Sequence, residues 1–160
     1  MRHISTLFVC LVSLILSTGP LLAQEIEHGH QAMQIFDKQG FDNSPQWVQF
    51  WLACMMVSFL AGLFFVKNHV IARWVIGGFF AGMTFGAIAS SVFGVPNYSG
   101  FIALIHLIFW TPALYQLLAK RPFLGQRSAF TIWSGVITAV ICFSFIFDIR
   151  DAFIYLTHGL

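Results

Sequence analysis

WVIGGFFAGMTFGAIASSVFGV, residues 74–95, decides the fold class. The stretch holds no charged side chain, and about 20 such residues carry an α-helix across roughly 30 Å of hydrocarbon at 1.5 Å per residue. Gly78, Gly82, Gly86 and Ser90 recur at every fourth position within it, with Gly77 and Ala81 beside them. Four small residues on one helical face let another backbone approach closely, where dispersion and weak polar contacts replace the hydrophobic effect that lipid cannot supply. The spacing predicts close packing against another span of the same chain. Ser58 and Gly62 in the first span, or Ser134, Thr138 and Cys142 in the fourth, offer matching small surfaces. A membrane-protein partner or a second copy of the chain is the other occupant this face would suit. Phe79 reads as lying off the face, so it is expected to tolerate change better than Gly82.

Three more apolar blocks, residues 47–66, 101–119 and 129–147, have the same character. The links between blocks, residues 67–73, 96–100 and 120–128, are short enough to force neighbouring helices to run antiparallel. Composition agrees: of 160 residues, 58% are hydrophobic and 9% charged, against about 25% charged in a soluble domain that must wet its surface. A β-barrel would alternate apolar and polar residues over segments of about 10, and no block does so. The expected fold is therefore an all-α integral membrane protein, a four-helix antiparallel transmembrane bundle. A formal net charge of +2, with basic residues in scattered clusters, excludes a nucleic-acid stripe and leaves the lipid bilayer as the main partner.

Residues 1–23 read as a signal peptide: a basic start at Arg2, an apolar run, a break at Gly19-Pro20 and a small residue, Ala23, before a polar segment. Residues 24–46 then form a periplasmic or extracellular segment, in which Ala32, Met33, Ile35 and Phe36 suggest one face of a short surface helix. With the first span running inward, the cytoplasmic links hold Lys67, Arg73, Lys120, Arg121 and Arg127, while the outer segments hold only Lys38 and Arg150. This asymmetry follows the positive-inside rule and puts both mature termini on the outer face of a bacterial-type inner membrane. Trp47, Trp51, Trp74, Tyr98 and Trp110 are placed as interfacial anchors, and Pro112 as a kink in the third span.

Candidate chemistry gathers on the outer side. His106 falls about 10 Å inside the third span, a depth at which an ionisable group faces protein, water or ligand. Residues 148–160 read as an outer amphipathic tail. Its Asp148, Asp151, Tyr155 and His158 share one stripe if the fourth helix continues. His106, Asp148 and Asp151 are thus the candidates for holding a proton or cation, if the heights of the two helices match. Glu27, His28 and His30, near Glu25, are weak metal candidates, since His-Gly-His fixes neither metal nor geometry. No serine elbow, HExxH, phosphate loop or CxxC spacing appears, and the sequence requires no cofactor. Cys54 and Cys142 read as small packing residues. The first functional expectation is a non-enzymatic accessory, assembly or scaffold component of a membrane complex. The second is a small proton- or cation-linked transport protein using His106, Asp148 and Asp151, and the third an outer-face metal or redox protein.

Overall fold

A computed structural model describes residues 31–158. The signal-peptide reading of residues 1–23 and the candidates Glu27, His28 and His30 lie outside the described residues. After a 3-10 turn at Gln31–Met33 come five α-helices: α1 (Lys38–Asp42), α2 (Gln46–Ala61), α3 (Val70–Phe93), α4 (Ser99–Lys120) and α5 (Ala129–His158). Helices α2 to α5, with the 3-10 turns that extend α2 and α4, are long and apolar enough to span a membrane. Their surface suits lipid: Phe64 is 86% exposed and Phe93 74%. Water would penalise such side chains by about 1.5–3 kcal/mol each relative to burial.

The core lies where α2, α3, α4 and α5 meet and is built of Phe59, Val75, Phe79, Trp110, Leu117, Ile137 and Ile141. The glycine face packs on α4, rather than on the surfaces of the first or fourth spans that the sequence offered. An added Cβ at Gly78 would fall on the Phe109 carbonyl, and one at Gly82 would lie 3.2 Å from Ile105 Cγ2. At Gly86 it would lie 3.4 Å from Ile105 Cδ1, and Ser90 is half-buried at the end of the series. Helix α4 accepts this approach with ordinary residues because its backbone carbonyl and branched side chains fill the grooves the glycines leave. Ser134 and Thr138 instead return their hydroxyls to carbonyls of their own helix, Thr131 and Ser134. Phe79 is not peripheral: it is buried and stacks on Phe59 at 4.7 Å.

Several boundaries and placements differ from the expected ones. Helix α3 begins at Val70, not at residue 74, because Arg73 folds its guanidinium back onto the Val66 and Lys67 carbonyls at 3.0 and 3.2 Å. The charge thus stays at the helix end while its stem covers apolar surface. Trp110 is 3% exposed and central, not an interfacial anchor. Pro112 sits inside a continuous α4, its outer face exposed. The surface helix expected through Ala32, Met33, Ile35 and Phe36 is replaced by an isolated bridge between Ile35 and Tyr98. Phe36 N–H donates to the Asn97 carbonyl at 2.8 Å, and Ser99 N–H to the Gln34 carbonyl at 3.0 Å. Those bonds satisfy backbone groups that a three-residue turn leaves open. They also fasten this segment over the start of α4 and the end of α5. There, a Cβ at Gly100 would lie 2.5 Å from Tyr155 Cβ and 2.7 Å from the Asp151 carbonyl oxygen.

The fourth span does not stop at residue 147. Helix α5 runs unbroken to His158, so Asp148 belongs to its middle turns rather than to a separate tail. No glycine or proline interrupts residues 136–158, and the burial of Asp148 is offset by the contacts described next.

Candidate functional site

Helix α4 presents His106 and, one turn later, Trp110 on the same face, as residues four apart must. Their rings stack at 4.0 Å with 15° between planes. Trp110 rests in turn on Phe59, centroids 4.6 Å apart, so the imidazole sits on an aromatic column rooted in the core. This fixes the ring plane and turns its edge towards α5.

Asp148 meets that edge. His106 Nδ1 lies 3.3 Å from Asp148 Oδ2 and 3.4 Å from Oδ1, straddling the carboxylate. Ser144, one turn earlier on α5, donates its hydroxyl to Oδ2 at 2.8 Å. An ionised carboxylate only accepts, so the contact is attractive when Nδ1 carries the hydrogen, which leaves Nε2 open to a second partner. Asp148 is 9% exposed. A carboxylate buried that far is tolerated only when paired and hydrogen-bonded, and His106 with Ser144 supply that pairing.

The pair borders a cavity of about 220 Å³ between α2, α4 and α5. Its lining is partly aromatic, from Phe36, Trp47, Trp51, Phe143 and Phe147, and partly polar, from Ser99, His106, Ser144, Asp148 and Asp151, with aliphatic residues between them. Trp51 and Phe143 meet edge to face at 4.6 Å, and Phe143 and Phe147 at 5.2 Å, which braces the aromatic side. A second hollow of about 540 Å³ adjoins it, lined by Gln34, Asp37, Gln39, Asn43 and Ser44 among others. Phe36, Val48, Ser99 and Asp151 border both hollows. The bridged segment before α2 therefore forms the rim of this second hollow, a polar vestibule beside the cavity, and Asp151 borders both. Arg150 approaches Asp151 at 4.0 Å.

Of the residues singled out by sequence, His106 and Asp148 are brought into contact and Asp151 into the same cavity. Gly78, Gly82 and Gly86 lie on the α3–α4 seam instead and belong to packing. Sequence reasoning missed Ser144, although its position four residues before Asp148 marks it as a same-face neighbour. It also missed the aromatic lining, because Trp47 and Trp51 read equally well as interfacial anchors. Ser144 bonds the carboxylate and not the imidazole, so these three side chains are not ordered as a nucleophile, base and orienting acid. Among the described residues no group of three or more His, Cys, Asp or Glu side chains is placed to hold a metal ion. Comparison with protein-family models, curated proteins and solved structures finds no match.

Proposed function

We propose that this chain is a small non-enzymatic protein of a bacterial-type inner membrane that binds a proton or small cation from the outer side, through His106, Asp148 and Asp151. The observation carrying this reading is the partly buried His106–Asp148 contact at the wall of a cavity that also includes Asp151. A bundle with only a structural task has no need of an ionisable pair at membrane depth, where each such group is expensive. Five basic residues, Lys67, Arg73, Lys120, Arg121 and Arg127, lie at the end of the bundle away from the cavity, which supports an outward-facing mouth. In this reading residues 1–23 direct export, both mature termini are outside, and the four spans run antiparallel. Gly78 opposite Phe109 with Gly86 opposite Ile105, running against each other in number, supports the last point.

The apolar core of Phe59, Phe79, Trp110 and Ile141 closes the bundle beyond the cavity, which favours binding over conduction. An accessory role in a membrane complex is compatible with such binding and has its own support in Gly77 and Ala81. Both are small and exposed on the side of α3 turned away from the seam, as a docking helix would require. The test is reconstitution in sealed vesicles, with proton and cation binding and flux measured for the parent, His106→Ala and Asp148→Asn. Binding by the parent, lost in both variants while insertion is normal, is the expected result. Identical behaviour of all three would overturn the reading, and flux accompanying binding would make the protein a transporter.

A further inference from the structure

The cavity beside His106 is unusual in what borders its two acids. Asp148 and Asp151 share it with the indoles of Trp47 and Trp51 and the rings of Phe143 and Phe147; no lysine or arginine is among its lining residues, although Arg150 reaches Asp151 at 4.0 Å, so two acids face one guanidinium. An inorganic cation would have to exchange its hydration shell for oxygen ligands. Both oxygens of Asp148 already face His106, and Oδ2 also takes the Ser144 hydroxyl. Rings offer a bare metal ion little, whereas an alkylated ammonium is weakly hydrated, has an apolar shell to bury, and is attracted by the negative face of an aromatic ring. The cavity, about 220 Å³, has room for a small ammonium compound together with its apolar shell.

Resting on the cation-site reading above, we infer that the occupant is an organic ammonium group, caged by Trp47, Trp51, Phe143 and Phe147 and neutralised by Asp148 and Asp151. The recognised chemistry is the ammonium itself, whether it arrives as a free amine through the vestibule or as the headgroup of an aminophospholipid.

The experiment uses the full chain in mild detergent and follows tryptophan fluorescence and thermal stability during titration with tetramethylammonium chloride, with sodium chloride at matched ionic strength as reference. The expected result is a saturable change with tetramethylammonium alone. Trp51→Leu should weaken it about 3- to 30-fold, the range of one ring–cation contact, and Asp151→Asn should weaken it without altering the aromatic side. Trp47→Leu, at a residue 61% exposed, provides an aromatic variant that does not disturb packing. Saturable sodium binding that ignores both tryptophan substitutions would overturn the ammonium inference and leave the cation site standing. A folded parent that binds neither ion would overturn the ammonium inference together with the small-cation reading, and leave proton binding by the His106–Asp148 pair as the function under test. Nanodiscs then separate the sources: a lower apparent affinity for tetramethylammonium in phosphatidylethanolamine than in phosphatidylglycerol identifies a competing lipid headgroup, and equal affinity identifies a free amine.

Discussion

Two adjacent glycines of α3 should answer the same substitution with opposite signs. Alanine is a better helix former than glycine by about 1 kcal/mol, so either replacement begins with that gain. At Gly77 an added Cβ meets no atom within 4 Å, and the gain stands. At Gly78 it would fall on the Phe109 carbonyl, a backbone atom that cannot swing aside as a side chain can. Helices α3 and α4 would have to part along the seam, and overpacking of this kind costs about 1–3 kcal/mol, occasionally more. Net effects of up to about 1 kcal/mol stabilising for Gly77→Ala and about 0–2 kcal/mol destabilising for Gly78→Ala follow. At about 2–4 °C per kcal/mol for a chain of this size, the two variants should melt roughly 2–12 °C apart, Gly78→Ala the lower, when helix loss is followed by circular dichroism in mild detergent. Gly82→Ala should fall between them, because the Cβ there would press on the movable Cγ2 of Ile105 at 3.2 Å, whereas Gly82→Leu should lower both yield and melting temperature. Coincident melting of Gly77→Ala and Gly78→Ala would refute the α3–α4 seam.

Topology is open to a direct check: a reporter active only in the cytoplasm should work when inserted near Asn68 or Gly125 and fail near Asn97, and activity near Asn97 would reject the proposed orientation. Trp133 offers a second check, on the way α2 is held. Its indole N–H donates to the Ser58 carbonyl at 2.9 Å, so Trp133→Phe should cost about 1 kcal/mol from the lost bond and somewhat more from lost volume. Unchanged thermal stability would show that the bond contributes nothing.

That indole bond illustrates where the sequence was readable and where it was not. Hydropathy and length located all four spans, because crossing a bilayer imposes a single strong requirement on every residue in the segment. The donor and acceptor linking α2 to α5 depend on a local change of backbone winding. Helix α2 tightens to a 3-10 turn at Gly62, whose N–H goes to the Phe59 and Leu60 carbonyls, and the Ser58 carbonyl is left for Trp133. Nothing in the apolar stretch around Gly62 announces that change. The end of the fourth span was hard to read for a related reason: acids after a long apolar run usually mark the exit into water, yet Asp148 lies buried among the helices, partnered by His106 and Ser144. Hydropathy sums residues one at a time and carries no information about pairing.

Register explains why His106 and Asp148 meet at all. Counted from the ends of the connecting link, His106 lies fourteen residues before the last residue of α4 and Asp148 nineteen after the first of α5. That is a mismatch of about 7 Å at 1.5 Å per residue, enough to set His106 level with Phe143 instead. The link, however, does not cap α5 end to end. Its 3-10 turn, Pro122–Leu124, folds back beside α5, and a Cβ on Gly135 would touch Phe123 Cβ at 3.5 Å. The first six residues of α5 therefore run past the turn before the two helices are level. From Gly135 to Asp148 is thirteen residues, and fourteen separate His106 from Lys120, so the two climbs agree within about 1.5 Å. A link drawn straight from Lys120 to Ala129 would miss the pair by more than a full turn. The folding back of Phe123 beside Gly135, at the far end of the bundle from the cavity, thus accords with the height at which the carboxylate reaches the imidazole.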